Sequence, residues 1–209
     1  MDMARRLWSL RGAVFAVAAA LLLAGCEVYQ PASPEEIGRA RYTSEEPPSV
    51  TLVSMVNTRT GKSAHSALLI NGSERVLYDP AGTFTHPDLP RRGDIHYGIT
   101  PRFLDYYERY HARHSHFVHS QTVYVSRATA DQVLANAQAI GPTPKMLCNT
   151  SVAAALRPVP PFTEVRSSIF PQASREDFAR IPGVRDSYVR EADTGKNNAW
   201  EAGDAPAMN

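Results

Sequence analysis

The sequence of 209 residues predicts a single α+β domain, on three observations. Short β-branched runs are set apart by turn residues, as in an antiparallel sheet. Segments with helical apolar spacing carry capping residues at their starts. The two kinds of element are mixed without the strand–helix–strand rhythm of a parallel sheet. Hydrophobic residues at 43% and charged residues at 21% fit a globular chain. With 22 Lys+Arg against 21 Asp+Glu, the formal charge of +1 excludes a nucleic-acid binder working by general electrostatics. Two cysteines, Cys26 and Cys148, exclude a disulfide-rich scaffold.

Residues 1–25 read as an address. Arg5, Arg6 and Arg11 precede an apolar run from Ala13 to Ala24, and small residues follow. That is a secretory signal, since a bilayer crossing needs roughly 20 apolar residues. The ending Leu22-Leu23-Ala24-Gly25-Cys26 resembles the lipobox of bacterial lipoproteins. The resemblance implies a diacylglycerol thioether on Cys26, cleavage before it and acylation of the new amino terminus. The partner so implied is the membrane. Glu27 in place of the Asp that retains such proteins at the inner membrane favours the outer membrane, with the domain facing the periplasm. Loss of residues 1–25 leaves a formal charge of −1 and Cys148 as the single free thiol in an oxidising compartment. Such a cysteine is either buried and inert or kept for its reactivity.

Residues 26–49, with four Pro and five Glu, read as a flexible tether. Roughly 23 coil residues span on the order of 25 Å. The folded part is expected over 50–191, and 192–209, whose one large apolar residue is Trp200, as a polar tail. Val50–Val56 is a β-branched run, hence a buried strand. His65–Ile70 and Arg75–Tyr78 flank Asn71-Gly72-Ser73-Glu74 and form a hairpin. Residues 83–100 read as loop. Pro101 opens a helix through Phe103, Leu104, Tyr107, Tyr110 and His111. Phe117–Val125 is a strand, and Thr129-Ala130-Asp131-Gln132 is a capping box for a helix ending at Gly141. A helix from Cys148 to Leu156, a shorter one over Ser174–Arg180 and a strand near Ser187–Arg190 complete the domain.

The chemistry lies in a His that opens one strand, an acid that closes its hairpin partner, and a Cys that begins a helix about 70 residues later. A helix start supplies partial positive charge and free N–H groups, which favour a thiolate and an oxyanion. An imidazole takes the thiol proton, and a carboxylate fixes the imidazole. A hairpin centred on Gly72 sets His65 opposite Asp79 on one face; a shift of half a residue pairs His65 with Tyr78 instead. Asp79 before Pro80 also suits an Asx turn. His111, His114, His116 and His119 lie within nine residues and suggest a metal site, but they span a helix end and a strand start with no acid among them. Polar surface is the plainer reading, and no cofactor is expected.

The segments His65–Ile70, Arg75–Asp79 and Cys148-Asn149-Thr150-Ser151-Val152 resemble the circularly permuted branch of NlpC-type papain-like cysteine hydrolases. That branch includes lecithin retinol acyltransferase-like proteins and several bacterial envelope lipoproteins. The resemblance implies a papain-like fold, Cys148 as nucleophile, His65 as base and Asp79 as orienting residue. Family members place His, Glu, Gln or Asn at the third position, so Asp79 departs from the pattern. An amidase or peptidase acting on cell-wall peptides is the function so implied. A non-catalytic envelope binding or scaffolding protein, and a lipid acyltransferase or thioesterase, are the alternatives.

Overall fold

The computed structural model describes residues 30–192, so the signal segment, Cys26 and Trp200 lie outside the described residues. The fold is α+β, with one seven-stranded antiparallel sheet and, among the described residues, five helices. Helix α1 (Pro34–Ala40) precedes strands β1 (Ser49–Asn57), β2 (Ser63–Asn71), β3 (Arg75–Tyr78), β4 (Arg91–Arg92) and β5 (Ile95–Tyr97). Helix α2 (Pro101–His111) and strand β6 (His116–Tyr124) follow. The chain then forms α3 (Arg127–Ile140), α4 (Cys148–Leu156), α5 (Pro171–Phe178) and β7 (Arg185–Val189). The strand order is β4-β5-β3-β2-β1-β6-β7. No helix among the described residues is long and apolar enough to cross a membrane.

The sheet is covered on both faces. Val50, Leu52, Leu68, Ile70, Val76 and Tyr78 point into a core with Val133 of α3, Val152 and Leu156 of α4, and Phe178 of α5. Val53, Met55, Ala67, Leu69 and Leu77 point the other way, against Phe84 and against Phe103 and Tyr107 of α2. That is why β1 reads as a continuous apolar run with no alternation: eight of its nine residues are buried. Helix α2 begins on Thr100, whose hydroxyl accepts from Phe103 N–H, with Pro101 at its first position.

Three expectations are corrected. The sheet is larger than the sequence suggests, because β4 and β5, of two and three residues, lie inside the stretch read as loop. Helix α3 is capped by Ser126 and starts at Arg127, ahead of the expected box. The third difference is the tether. Residues 31–48 are not a free coil but a strap bound to the domain. Ser33 and Glu36 form a capping box for α1, whose Ile37 packs on the core. Ala32 N–H donates to Arg91 O, and the Arg92 guanidinium donates to Ala32 O. Asn71 Nδ2 donates to the carbonyls of Glu46 and Pro47, at 3.2 and 3.1 Å.

Arg75 is the anchor of that strap. Its side chain is 1% exposed; Nε donates to Ile99 O at 2.7 Å and Nη1 to Glu46 Oε2 at 3.2 Å. Its backbone N–H donates to Tyr42 O, and its guanidinium lies 5.3 Å from the Tyr42 ring. Replacing Arg75 by Ala removes two charge-assisted bonds and is expected to cost about 2–3 kcal/mol. A lowered urea midpoint at unchanged slope checks this.

Candidate active site

The hairpin pairs Leu68 with Tyr78 and Asn71 with Arg75, so its centre falls at Ser73, one residue beyond Gly72. A shift of one centre moves the pairing by two residues and preserves the face. Continued past β3, the register sets Asp79 across from Ala67, with His65 two residues further along on the same side. His65 Nε2 meets Asp79 Oδ1 at 2.6 Å. Tyr78 faces the opposite core and is fully buried there, its hydroxyl toward Thr143 and Ser151 and pushed up to about 12 by burial. Neither register that the sequence leaves open is formed, yet the diagonal contact of His65 is with Asp79 and not with Tyr78.

Cys148 is the first residue of α4, and its thiol lies close enough to His65 for each to shift the other's charge. With Nε2 on Asp79, Nδ1 is the imidazole nitrogen left for the sulfur. The Ser66 and Asn149 backbone N–H groups also serve the thiol. Leu147, at the N-cap, offers no side-chain cap, so the first-turn N–H groups keep their positive end toward the sulfur. Asn149 is fully buried and ties the turn in place: Nδ2 donates to Ser168 O at 2.9 Å, and Oδ1 faces the Ser66 hydroxyl at 3.5 Å.

The three groups set one another's charge. Burial disfavours the imidazolium, yet the bonds to Asp79 and Cys148 overcome it and lift His65 to about 10. Burial likewise pushes Asp79 up, and the contact with His65 reverses this, holding the carboxyl at about 2. Burial opposes the Cys148 thiolate as well, and His65 brings the thiol below its ordinary value. At neutral pH the His65 imidazolium and the Asp79 carboxylate are thus paired, and the same imidazolium draws the Cys148 thiol toward its thiolate. By linkage, Asp79 contributes stability above about pH 4 and loses it as pH falls through about 2. The His65 contribution is complete below about pH 6.5 and is lost as pH rises through about 10.

Several supporting residues were not assigned to this site from the sequence. Tyr107 Oη donates to Asp79 Oδ1 at 3.2 Å. His111, one turn along α2, donates Nδ1–H to Tyr107 O at 2.9 Å and stacks on His65 with centroids 6.5 Å apart. Burial holds His111 down at about 4, so it adds no charge beside His65 at neutral pH. The i, i+4 spacing of Phe103, Tyr107 and His111 on a capped helix was the available signal. Asp94, 3% exposed, joins both halves of the site. Its carbonyl accepts from Asp79 N–H, while its carboxylate accepts from Thr143 N–H at 2.7 Å, ahead of Cys148, and from Arg91 Nη2 at 3.0 Å.

The four clustered histidines do not converge. His111 lies at the site, His119 pairs with Asp186 at 2.7 Å beneath the Tyr188 ring, and His116 bonds Ser115. Among the described residues, no group of three His, Cys, Asp or Glu side chains is placed to hold a metal ion.

No protein-family model matches the chain, and no curated protein or solved structure matches it. The site therefore stands on its own geometry.

Gly82 gives a test that touches none of the reacting groups. A Cβ at Gly82 would stand 1.9 Å from Asp79 Oδ2, an oxygen with no hydrogen-bond partner among the described residues. Gly82→Ala must displace the carboxylate, and His65 then loses the contact that charges it. Alkylation of Cys148 at pH 6 is expected to slow about tenfold, one decade for each unit by which the thiol pKa rises.

Proposed function

We propose that the protein is a cysteine hydrolase of the bacterial cell envelope that cleaves an amide bond, with peptides of the cell wall as its substrate class. The observation that carries this reading is the connected chain Cys148–His65–Asp79, with its thiol lowered and its imidazole raised. In this reading Cys148 Sγ attacks the carbonyl carbon while N–H groups at the start of α4 stabilise the oxyanion. His65 gives its proton to the leaving amine, and a thioester forms. Water then attacks the thioester, His65 takes the proton from that water, and the thiolate is restored. Asp79 holds the imidazole ring throughout.

The assignment to a papain-like domain of the permuted NlpC type belongs to this proposal. A Cys at a helix start packed beside a His-bearing antiparallel strand supports it. The lipobox of Cys26 supports attachment to the outer membrane with the domain in the periplasm.

A second reading is favoured by one observation: Cys148 is only 5% exposed. A buried thiol suits a non-catalytic envelope binding protein. The His65 side chain, at 20% exposed, gives the site its opening to solvent in the first reading.

Alkylation by a small reagent separates the two. A hydrolase shows a Cys148 rate already at its plateau at neutral pH, falling only in acid. His65→Ala returns the midpoint to about 8.5, the reference for a free thiol. Cys148→Ala abolishes release of amine from cross-linked cell-wall peptides at unchanged stability. A thiol that reacts only after unfolding supports the binding protein instead.

A further inference from the structure

Exposed large apolar residues are few among the described residues, and their placement is uneven. Tyr124 lies under the Arg185 guanidinium, and Tyr188 stacks on His119. The remaining three, Met146 at 82% exposed, Ile169 at 55% and Phe170 at 68%, all flank the first turn of α4. Met146 stands two residues before Cys148, its backbone in the left-handed region at φ 72°. Ile169 and Phe170 follow Ser168, whose carbonyl is held by the Asn149 and Thr150 side chains. Gln172, just beyond them, accepts from Ser63 N–H next to His65. The nucleophile thus sits between two projecting apolar ridges. Cations adjoin them in the chain: Lys145 precedes Met146, and Arg175 of α5, five residues after Phe170, donates to Gly61 O.

The path of the chain indicates what covers this rim. With residues 31–48 strapped to the domain, only residues 27–30 separate Cys26 from the folded body, a reach of at most about 18 Å. The chain enters at the β4 edge, near the β4–β5 turn whose Asp94 carbonyl accepts from Asp79 N–H. Ala32 is bound to β4, which the register places level with Leu68 and Leu69 of β2. Helix α1 then runs away toward Gly98, against which Ala40 packs. Gly93, after β4, lies against Gly141 and Pro142, where the loop that carries Met146 begins.

We propose that Met146, Ile169 and Phe170 form a membrane-docking rim: they enter the headgroup–acyl boundary of the leaflet that holds the lipidated Cys26, so that the Cys148 site opens onto the bilayer surface. The rim rests on the lipobox reading of Cys26 and does not depend on catalysis. Apolar side chains entering the boundary, with bordering cations near anionic headgroups, are the physical requirements of an interfacial protein.

The test uses the full chain purified from bacterial membranes and reconstituted into vesicles of phosphatidylethanolamine and phosphatidylglycerol with brominated acyl chains. In a Trp200→Phe background, since Trp8 is lost with residues 1–25, Phe170→Trp and Met146→Trp report on the rim. Tyr124→Trp is the control, because Tyr124 pairs with Ser49, six residues along β1 from the Met55 that pairs with His65. The rim reporters are expected to lose about half their emission to bromine, since the boundary lies within about 5–10 Å of the acyl chains. Tyr124→Trp should lose none. Rim reporters no more quenched than Tyr124→Trp would overturn the proposal. So would a blue shift that grows with protein density without bromine quenching, which would mean that a second copy covers the rim. Quenching that persists in Cys148→Ala keeps the docking surface separate from the fate of the hydrolase reading.

Discussion

The hydrogen bond between His65 and Asp79 is the contact around which this domain is arranged. It is short, at 2.6 Å, and its acid is 1% exposed, so neither partner can be charged without the other. A carboxylate in that position needs compensation, and the fold supplies it from three elements. Strand β2 brings the imidazole, α2 brings the Tyr107 hydroxyl, and the turn after β3 leaves room for the carboxylate by having Gly82 where any side chain would collide with it. The thiol at the head of α4 lies on the other side of the imidazolium, which lowers it. Remove the acid and the other two lose their reason to ionise.

The sheet makes this possible by being covered on both sides. Helices α3, α4 and α5 bury one face and α2 the other. The residues of β2 therefore alternate between two interiors, with His65, Ala67 and Leu69 facing α2 and Ser66, Leu68 and Ile70 facing α4. Cys148 reaches His65 where β2 passes the start of α4, and Ser66 bonds that same turn through Asn149. Asp94 ties the Asp79 backbone to the loop before Cys148, so acid and nucleophile are fixed through one buried residue.

Much of this was legible from local sequence. The hairpin, the Cys148 helix and the Pro101 helix announce themselves through turn residues, apolar spacing and caps, which act over a few positions. The hairpin centre was placed one residue early, at Gly72. Asp79 still fell on the His65 face, because a two-residue slip preserves the side of a strand. What local pattern could not carry was set by tertiary contact. Strands β4 and β5 exist because β3 offers an edge, and Arg91-Arg92 has no strand signal of its own. The strap over 31–48 has a tether's composition but is fastened by Arg75 and Asn71, residues distant in sequence. Tyr107 reads as a helix-face aromatic, and His111 as one of four clustered histidines, until α2 is laid over the sheet.

The strap also changes the mechanical picture. A coil over 31–48 would leave those residues independent of the domain, whereas the bound strap makes them part of it. The account rests throughout on a charged imidazole at neutral pH, which is directly observable. Nitrogen-detected magnetic resonance of His65 should show both ring nitrogens protonated through about pH 8, consistent with a group raised to about 10. A neutral His65 ring that titrates near 6.5 would contradict the ion-paired site and leave Cys148 as a buried structural thiol.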